Sequence, residues 1–110
     1  MSRTNTALQQ HSARLDTSGP ERWELHGELV FDTVPTLLEQ IEQALPRASS
    51  PLVANLAGVT RSDSAGMALL MEWHRLARKR GLALQLERPP EQLGKLARLT
   101  GLAGLLGMEN

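Results

Sequence analysis

Residues 55–66 read Asn-Leu-Ala-Gly-Val-Thr-Arg-Ser-Asp-Ser-Ala-Gly, and this stretch decides how the chain folds. Just before and within it, Leu52, Val53 and Leu56 form a short apolar run that predicts a buried strand. Gly58 is expected to interrupt that strand, because glycine weakens strand pairing. A short polar loop is then predicted, followed at once by a helix.

The helix after this loop has clear signals at both ends. Asp63 or Ser64 can cap its N-terminus, because their side-chain oxygens accept from backbone N–H groups that have no intrahelical partner. Gly81 is expected to end it, beside cationic residues that suit the negative end of the helix dipole. Its apolar residues are Leu69, Leu70, Trp73, Leu76 and Ala77. We place the candidate site at the N-terminal end of this helix.

A hairpin and a helix are predicted on the N-terminal side of this stretch. Ala13–Asp16 predicts a strand, Ser18-Gly19-Pro20 predicts a turn, and alternating residues over 22–28 predict a second strand. Thr33–Leu45 predicts an amphipathic helix, capped by Asp32 or Thr33. Its apolar stripe consists of Val34, Leu37, Leu38, Ile41 and Leu45.

A strand and a helix are predicted on the C-terminal side. Residues 82–86 alternate as a strand does, and Glu91–Leu99 predicts a helix with Leu93, Leu96, Ala97 and Leu99 inward. A short apolar terminus follows, with Leu102, Leu105, Leu106 and Met108. The order is β-β-α-β-α-β-α, and such alternation favours an α/β fold, a mixed β-sheet with helices packed on it. We expect a flexible tail over residues 1–12 and one domain over residues 13–110.

Composition excludes several classes of function. The 110 residues include 12 basic and 12 acidic side chains, which argues against a general nucleic-acid binder. Cysteine is absent, so there is neither a disulfide framework nor a thiolate metal site. No apolar run approaches the roughly 18 residues of a membrane-spanning helix, and Met1–Leu15 lacks the apolar region of a secretory signal. We expect a cytoplasmic protein without direct membrane insertion.

Enzymatic chemistry is not predicted. A hydrolase built on Ser64 would need a base nearby, but His74 lies about 15 Å further along the same helix. His11, His26 and His74 are too scattered for a metal-binding motif, and no glycine-rich phosphate loop is present. We therefore expect no catalytic residues, no metal and no cofactor.

The stretch from Ala54 to Leu70 resembles the signature of STAS domains, the anti-sigma-factor-antagonist-like fold. In that signature a strand ends in a hydrophobic-Asp-Leu run, and an Asp-Ser/Thr-Ser/Ala/Gly-Gly-Leu loop then opens a helix. Asn55 stands here where the family usually has Asp, and Met67 stands where Leu is common. The predicted order of elements is also similar, and the resemblance covers residues 13–108.

The resemblance implies one of two functions. In anti-sigma factor antagonists, a partner kinase phosphorylates the hydroxyl that matches Ser64, and this breaks binding. In the MlaB-like branch, a small solitary STAS domain binds the cytoplasmic ATPase of a phospholipid-trafficking ABC transporter. The sequence over residues 64–78 resembles the second branch more, as do Pro-Pro-Glu-Gln-Leu at 89–93 and Leu-Ala-Arg-Leu-Thr-Gly-Leu at 96–102.

The function that the resemblance implies is a non-enzymatic accessory subunit. It would bind and stabilise or regulate the ATPase of a transporter that maintains outer-membrane lipid asymmetry, and the partner would hold it at the inner membrane. The alternative is an anti-sigma factor antagonist that phosphorylation of Ser64 regulates. From the residues alone, Asp63-Ser64 can equally be a plain helix cap. The expected partner-binding residues are Thr60, Arg61, Ser62, Asp63, Ser64, Ala65, Gly66 and Met67.

Overall fold

Four strands form one sheet in the computed structural model of the chain, which describes residues 11–104. They are β1 (Ala13–Asp16), β2 (Arg22–Leu29), β3 (Leu52–Ser62) and β4 (Leu84–Glu87), and they lie in this order across the sheet. β1 is antiparallel to β2, whereas β3 is parallel to both β2 and β4. The predicted hairpin and the predicted parallel neighbours are therefore confirmed.

Three helices connect or follow these strands. They are α1 (Val34–Ala44), α2 (Ser64–Lys79) and α3 (Glu91–Leu99), and a short 3-10 turn over Leu45–Arg47 extends α1. The α/β fold and the β-β-α-β-α-β-α order are confirmed. None of the helices within residues 11–104 has both the length and the apolar composition that crossing a membrane requires. Most of the predicted tail and the apolar residues after Gly104 lie outside the described residues.

The core lies between one face of the sheet and the helices. Trp23 and Leu25 of β2 are buried, while their neighbours Glu24 and His26 are only half-buried, so the strand has the expected period of two. The buried residues of β3 and the inward faces of the helices join the same cluster. The rings of Trp23 and Trp73 stack there, with centroids 6.0 Å apart and planes 26° from parallel.

Gly58 does not interrupt β3, and this prediction was wrong. The strand continues through Gly58 to Ser62, so the predicted polar loop is replaced by strand. Gly58 pairs with His26 of β2, and a Cβ atom at this position would lie 3.0 Å from His26 Cγ. Glycine is therefore present because the imidazole ring lies against the backbone of β3, which is a recognised use of glycine within a strand.

The N-terminus of α1 is held differently from the prediction. Thr33 occupies the cap position, but neither Thr33 nor Asp32 makes the expected cap bond to the helix. Instead, Thr33 Oγ1 donates to the Glu28 carbonyl oxygen at 2.6 Å and accepts from Val30 N–H at 3.1 Å. Thr33 is buried, so its hydroxyl ties the start of α1 to the end of β2.

The apolar stripes of α1 and α3 are confirmed, with the exception of Leu99. Leu37 and Ile41 of α1 and Leu45 of the turn that extends it are buried, whereas Val34 and Leu38 are half-buried and pack against the same core. In α3, Leu93 and Ala97 are buried, Leu96 is half-buried and Leu99 is 77% exposed, so the prediction that Leu99 faces inward was wrong. Successive helical residues turn by about 100°, which places Leu99 far from the Leu93–Ala97 face.

Candidate functional site

The first turn of α2 is attached directly to the end of the central strand. Ser62 closes β3 and pairs with Leu29 of β2, and Ser64 is already the first residue of α2. Between them, the Asp63 N–H donates to the Leu29 carbonyl oxygen at 3.1 Å. The position of Ser64 is therefore fixed by the ends of two paired strands.

Asp63 caps the N-terminus of α2 and is one of the two residues that were predicted for this position. Its backbone is extended, and its Oδ1 accepts from the Ala65 N–H at 2.8 Å. A cap of this kind contributes about 1 kcal/mol to stability. Because Asp63 makes the cap, the Ser64 side chain is left available at the exposed start of the helix.

Gly66 allows α2 to lie very close to the sheet. A Cβ atom there would overlap Ser62 Oγ and would lie 2.9 Å from Leu29 Cβ and 3.0 Å from the Leu29 carbonyl oxygen. Contact with a backbone oxygen cannot be relieved by a side-chain rotation. Glycine is thus required for the close packing that sets how far Ser64 stands from the sheet.

Solvent exposure divides the eight predicted partner-binding residues into two groups. Thr60, Arg61, Asp63 and Ser64 are exposed, and Ala65 is half-buried, so a partner could contact this group. The second group is buried, and its members support the first group from below; they are Ser62, Gly66 and Met67.

The exposed face of α2 continues from Ser64 at helical spacing. Ala68, Met71 and Arg75 follow on the same side and are exposed. Arg75 donates to Glu72 Oε1 from its Nε at 2.9 Å, and a second guanidinium nitrogen donates to the other oxygen. These hydrogen bonds hold the pKa of Glu72 below its ordinary value.

A groove of about 300 Å³ opens beside Ser64, and the sequence did not predict it. One wall is the end of β3 and the first turn of α2, with Ser62, Asp63 and Ser64. The other wall is α3, with Gln92, Leu93, Lys95, Leu96 and Leu99. The helical-wheel position of Leu99, well away from Leu93 and Ala97, is a local signal for the exposure of this side chain, whereas the groove itself depends on how α2 and α3 pack.

The histidines do not gather at this site. His26 lies beside Gly58 in the sheet, and His74 is half-buried on α2, well beyond its first turn. His11 Nδ1 lies 2.9 Å from Asp32 Oδ2 at the start of α1. Within residues 11–104, no group of three or more His, Cys, Asp or Glu side chains is arranged to hold a metal ion.

The fold and the site together are those of the STAS domains. They combine a short antiparallel hairpin, a long central strand β3, and a helix α2 that begins at the end of β3 with the exposed hydroxyl of Ser64. The chain belongs to that family, because a STAS family model matches residues 13–107. The matching model is described as "Mlab, STAS domain", which makes the chain MlaB-like. STAS domains are generally regulatory and mediate protein–protein interactions.

Two solved structures show the same fold. The anti-sigma factor antagonist SpoIIAA in its unphosphorylated form is 21% identical, with 84% of each chain covered and a TM-score of 0.69. A sulfate transporter family protein from Wolinella succinogenes is 24% identical, with 79% of this chain and 70% of that chain covered and a TM-score of 0.65. A search of curated proteins found no match. At these identities the structural likeness establishes the fold.

Proposed function

We propose that this chain is a non-enzymatic accessory subunit that binds the cytoplasmic ATPase of a phospholipid-trafficking ABC transporter and stabilises or regulates it. The exposed first turn of α2, with Ser64 at its start, is the observation that carries the proposal. The match to the MlaB-like family model supports the choice of partner. In this role the chain is cytoplasmic, is held at the inner membrane by the ATPase, and contributes to outer-membrane lipid asymmetry.

The build of this turn suits a protein interface. Ser64 and Ala65 have small side chains, so a partner surface can approach the backbone closely. The Asp63 cap and the hydrogen bond from Asp63 N–H to Leu29 fix the turn before binding. A surface that is already ordered loses little conformational entropy on association, which favours affinity.

Adding a negative charge at Ser64 tests this proposal. Ser64→Glu should fold normally, because a helix N-terminus tolerates negative charge. It should nevertheless fail to co-purify with the ATPase, since burying an unpaired carboxylate in a close interface carries a large desolvation cost. Ser64→Ala should do less harm. The measurement is co-purification of the tagged chain with the ATPase subunit of the transporter from the same organism.

The matched control is Ser49→Glu. Ser49 is also exposed, but it precedes β3, whereas Ser64 follows it, so the same charge is added at the opposite end of the strand. Ser49→Glu should retain the ATPase. If Ser64→Glu co-purifies normally with the ATPase and its circular dichroism and melting are unchanged, the proposal is contradicted. Ser64 would then be the first residue of α2, without a role in binding.

The alternative function is an anti-sigma factor antagonist that phosphorylation regulates. The exposure of Ser64 on the first turn of a helix favours it, because phosphate at that position gains from the helix dipole. Under this alternative, a cognate kinase phosphorylates the wild-type chain in vitro, and Ser64→Ala stays permanently in the binding form. Under the transporter proposal, ATPase binding does not depend on a kinase.

A further inference from the structure

The end of the domain opposite the first turn of α2 is formed by three connections that hydrogen bonds hold together. The Ala83 N–H donates to Ser50 Oγ at 2.9 Å, so the segment after α2 lies against the segment that leads into β3. The Ser49 N–H donates to the Pro20 carbonyl oxygen at 2.7 Å, which joins the turn between β1 and β2 to them. This end therefore consists of residues 17–21, 45–52 and 78–83.

Charge is separated along the domain, although the whole chain has a net charge of zero. The three segments at this end contain one acidic side chain, Glu21, and four cationic side chains, which are Arg47, Arg78, Lys79 and Arg80. The connections that leave the parallel strands at the other end, residues 30–33, 61–65 and 88–91, contain three acidic and two cationic side chains. We call the end with the four cations the basic end.

The four cations of the basic end are available to an anionic partner. All four are exposed, and none of them forms an ion pair with an acidic side chain of residues 11–104. By contrast, Arg75, one turn earlier on α2, is held by Glu72. Proximity to the C-terminus of α2 favours cations, but it leaves their outer faces in water. Their long side chains can therefore turn towards an anionic surface.

The composition of the basic end favours a lipid surface over a protein. Protein interfaces depend on apolar and aromatic anchors at their centre. The markedly exposed large apolar side chains within residues 11–104 are Phe31, Met71 and Leu99, and none of them belongs to the basic end. Adsorption to an anionic bilayer needs no such anchor, because several cations near the negative surface supply the attraction. A nucleic-acid partner is disfavoured by the net charge of zero.

We propose that the basic end binds the headgroups of anionic phospholipids at a membrane surface, without inserting into the bilayer. The 16 residues of α2 separate this end from Ser64 by about 24 Å, roughly three Debye lengths at physiological ionic strength. One end of the domain can therefore bind the ATPase while the other contacts lipid. The inference draws on the proposed function only for the membrane beside the chain, since lipid binding does not require the ATPase.

The test measures co-sedimentation of the untagged full-length chain with lipid vesicles. At low salt, the chain should bind vesicles of phosphatidylcholine with about 30% phosphatidylglycerol, and it should bind phosphatidylcholine alone at least about tenfold more weakly. Binding should disappear at about 0.5 M salt, because salt screens the attraction. The double variant Arg78→Gln/Arg80→Gln should lower the partition coefficient about thirtyfold, since each cation near such a surface contributes about fivefold.

The matched control is Arg14→Gln/Arg88→Gln. These two arginines are exposed and lie outside the basic end, so the same two charges are removed elsewhere. The control should change the partition coefficient by less than about threefold, because distant charges are screened. Circular dichroism should show an unchanged fold for both double variants. Equal losses for the two variants would mean that only net charge matters, which would overturn the inference.

The remaining outcomes separate this inference from the proposed function. If the chain ignores anionic vesicles but co-purifies with the ATPase, only the inference is overturned. If it binds these vesicles but not the ATPase, the proposed function fails and the lipid-binding surface remains. Equal binding to both kinds of vesicle would overturn the electrostatic mechanism. Binding to single-stranded DNA at the same salt, without binding to vesicles, would make a nucleic acid the partner and would also overturn the inference.

Discussion

Gly66 and Gly94 are both buried helix glycines, yet replacing them with alanine should have opposite effects on stability. At Gly66, a Cβ atom would meet Ser62 Oγ and two atoms of Leu29, and one of these is a backbone carbonyl oxygen at 3.0 Å. At Gly94, a Cβ atom would lie 3.4 Å from Arg98 Nη1, the far end of a flexible side chain. Only the first substitution requires the helix to move.

The magnitudes follow from two competing effects. Replacing glycine by alanine within a helix stabilises by about 0.5–1 kcal/mol, because the unfolded chain loses freedom. Overpacking a core site costs about 1–3 kcal/mol. Gly66→Ala should therefore lose about 1–2 kcal/mol on balance, while Gly94→Ala should gain up to about 1 kcal/mol.

Denaturant and thermal melts of both variants measure this difference. For a domain of this size, each kcal/mol corresponds to about 4–8 °C in melting temperature, so Gly66→Ala should melt about 5–15 °C lower and Gly94→Ala several degrees higher. The Gly66→Ala variant should also bind the ATPase less well, because α2 must shift away from Leu29. Equal stabilisation by both substitutions would refute the argument that α2 and the sheet are in close contact at Gly66.

Two further predictions concern the core and the acid response. Ile41→Ala should cost about 2–5 kcal/mol in denaturant melts, and the half-buried Leu38→Ala should cost clearly less; equal losses would contradict their different burial. Hydrogen bonds from Ser18 lower the pKa of Asp16 below its ordinary value of 3.8, so the native state favours the carboxylate. The stabilisation that the Asp16 carboxylate provides is present above a pH of 3.8 and is lost as the pH falls through the lowered pKa. Acidification from about pH 5 to about pH 3 should therefore lower the stability of the wild type more than that of Asp16→Asn.

Much of the fold could be predicted because each element has its own local signal. The period-two alternation around Trp23, the helical stripe through Ile41 and the glycine at position 81 depend on neighbours in the sequence. Gly81 does adopt a left-handed backbone, with φ of 73°, as the end of a helix requires. Local signals also limited the predicted N-cap of α2 to two residues, Asp63 and Ser64, without deciding between them.

The features that escaped prediction depend on contacts between distant residues. Gly58 resembles a strand break until His26 of the neighbouring strand is placed against it. Leu99 resembles a core residue until the orientation of α3 is known. The groove needs both α2 and α3 in place, so no local pattern in the sequence could have indicated its volume or the position of Lys95.

The stacked indoles of Trp23 and Trp73 provide a spectroscopic probe that is independent of the docking surface. They are the two tryptophans of a chain without tyrosine, and both are almost completely buried between the sheet and the helices. Their emission should therefore shift to longer wavelength when the helices leave the sheet and water reaches the rings. Neither indole lines the groove beside Ser64, so substitutions in the groove leave the probe itself unchanged. Tryptophan emission at a fixed wavelength can therefore follow the unfolding of such variants. A change in this emission on adding a tryptophan-free ligand would report that the ligand disturbs the core.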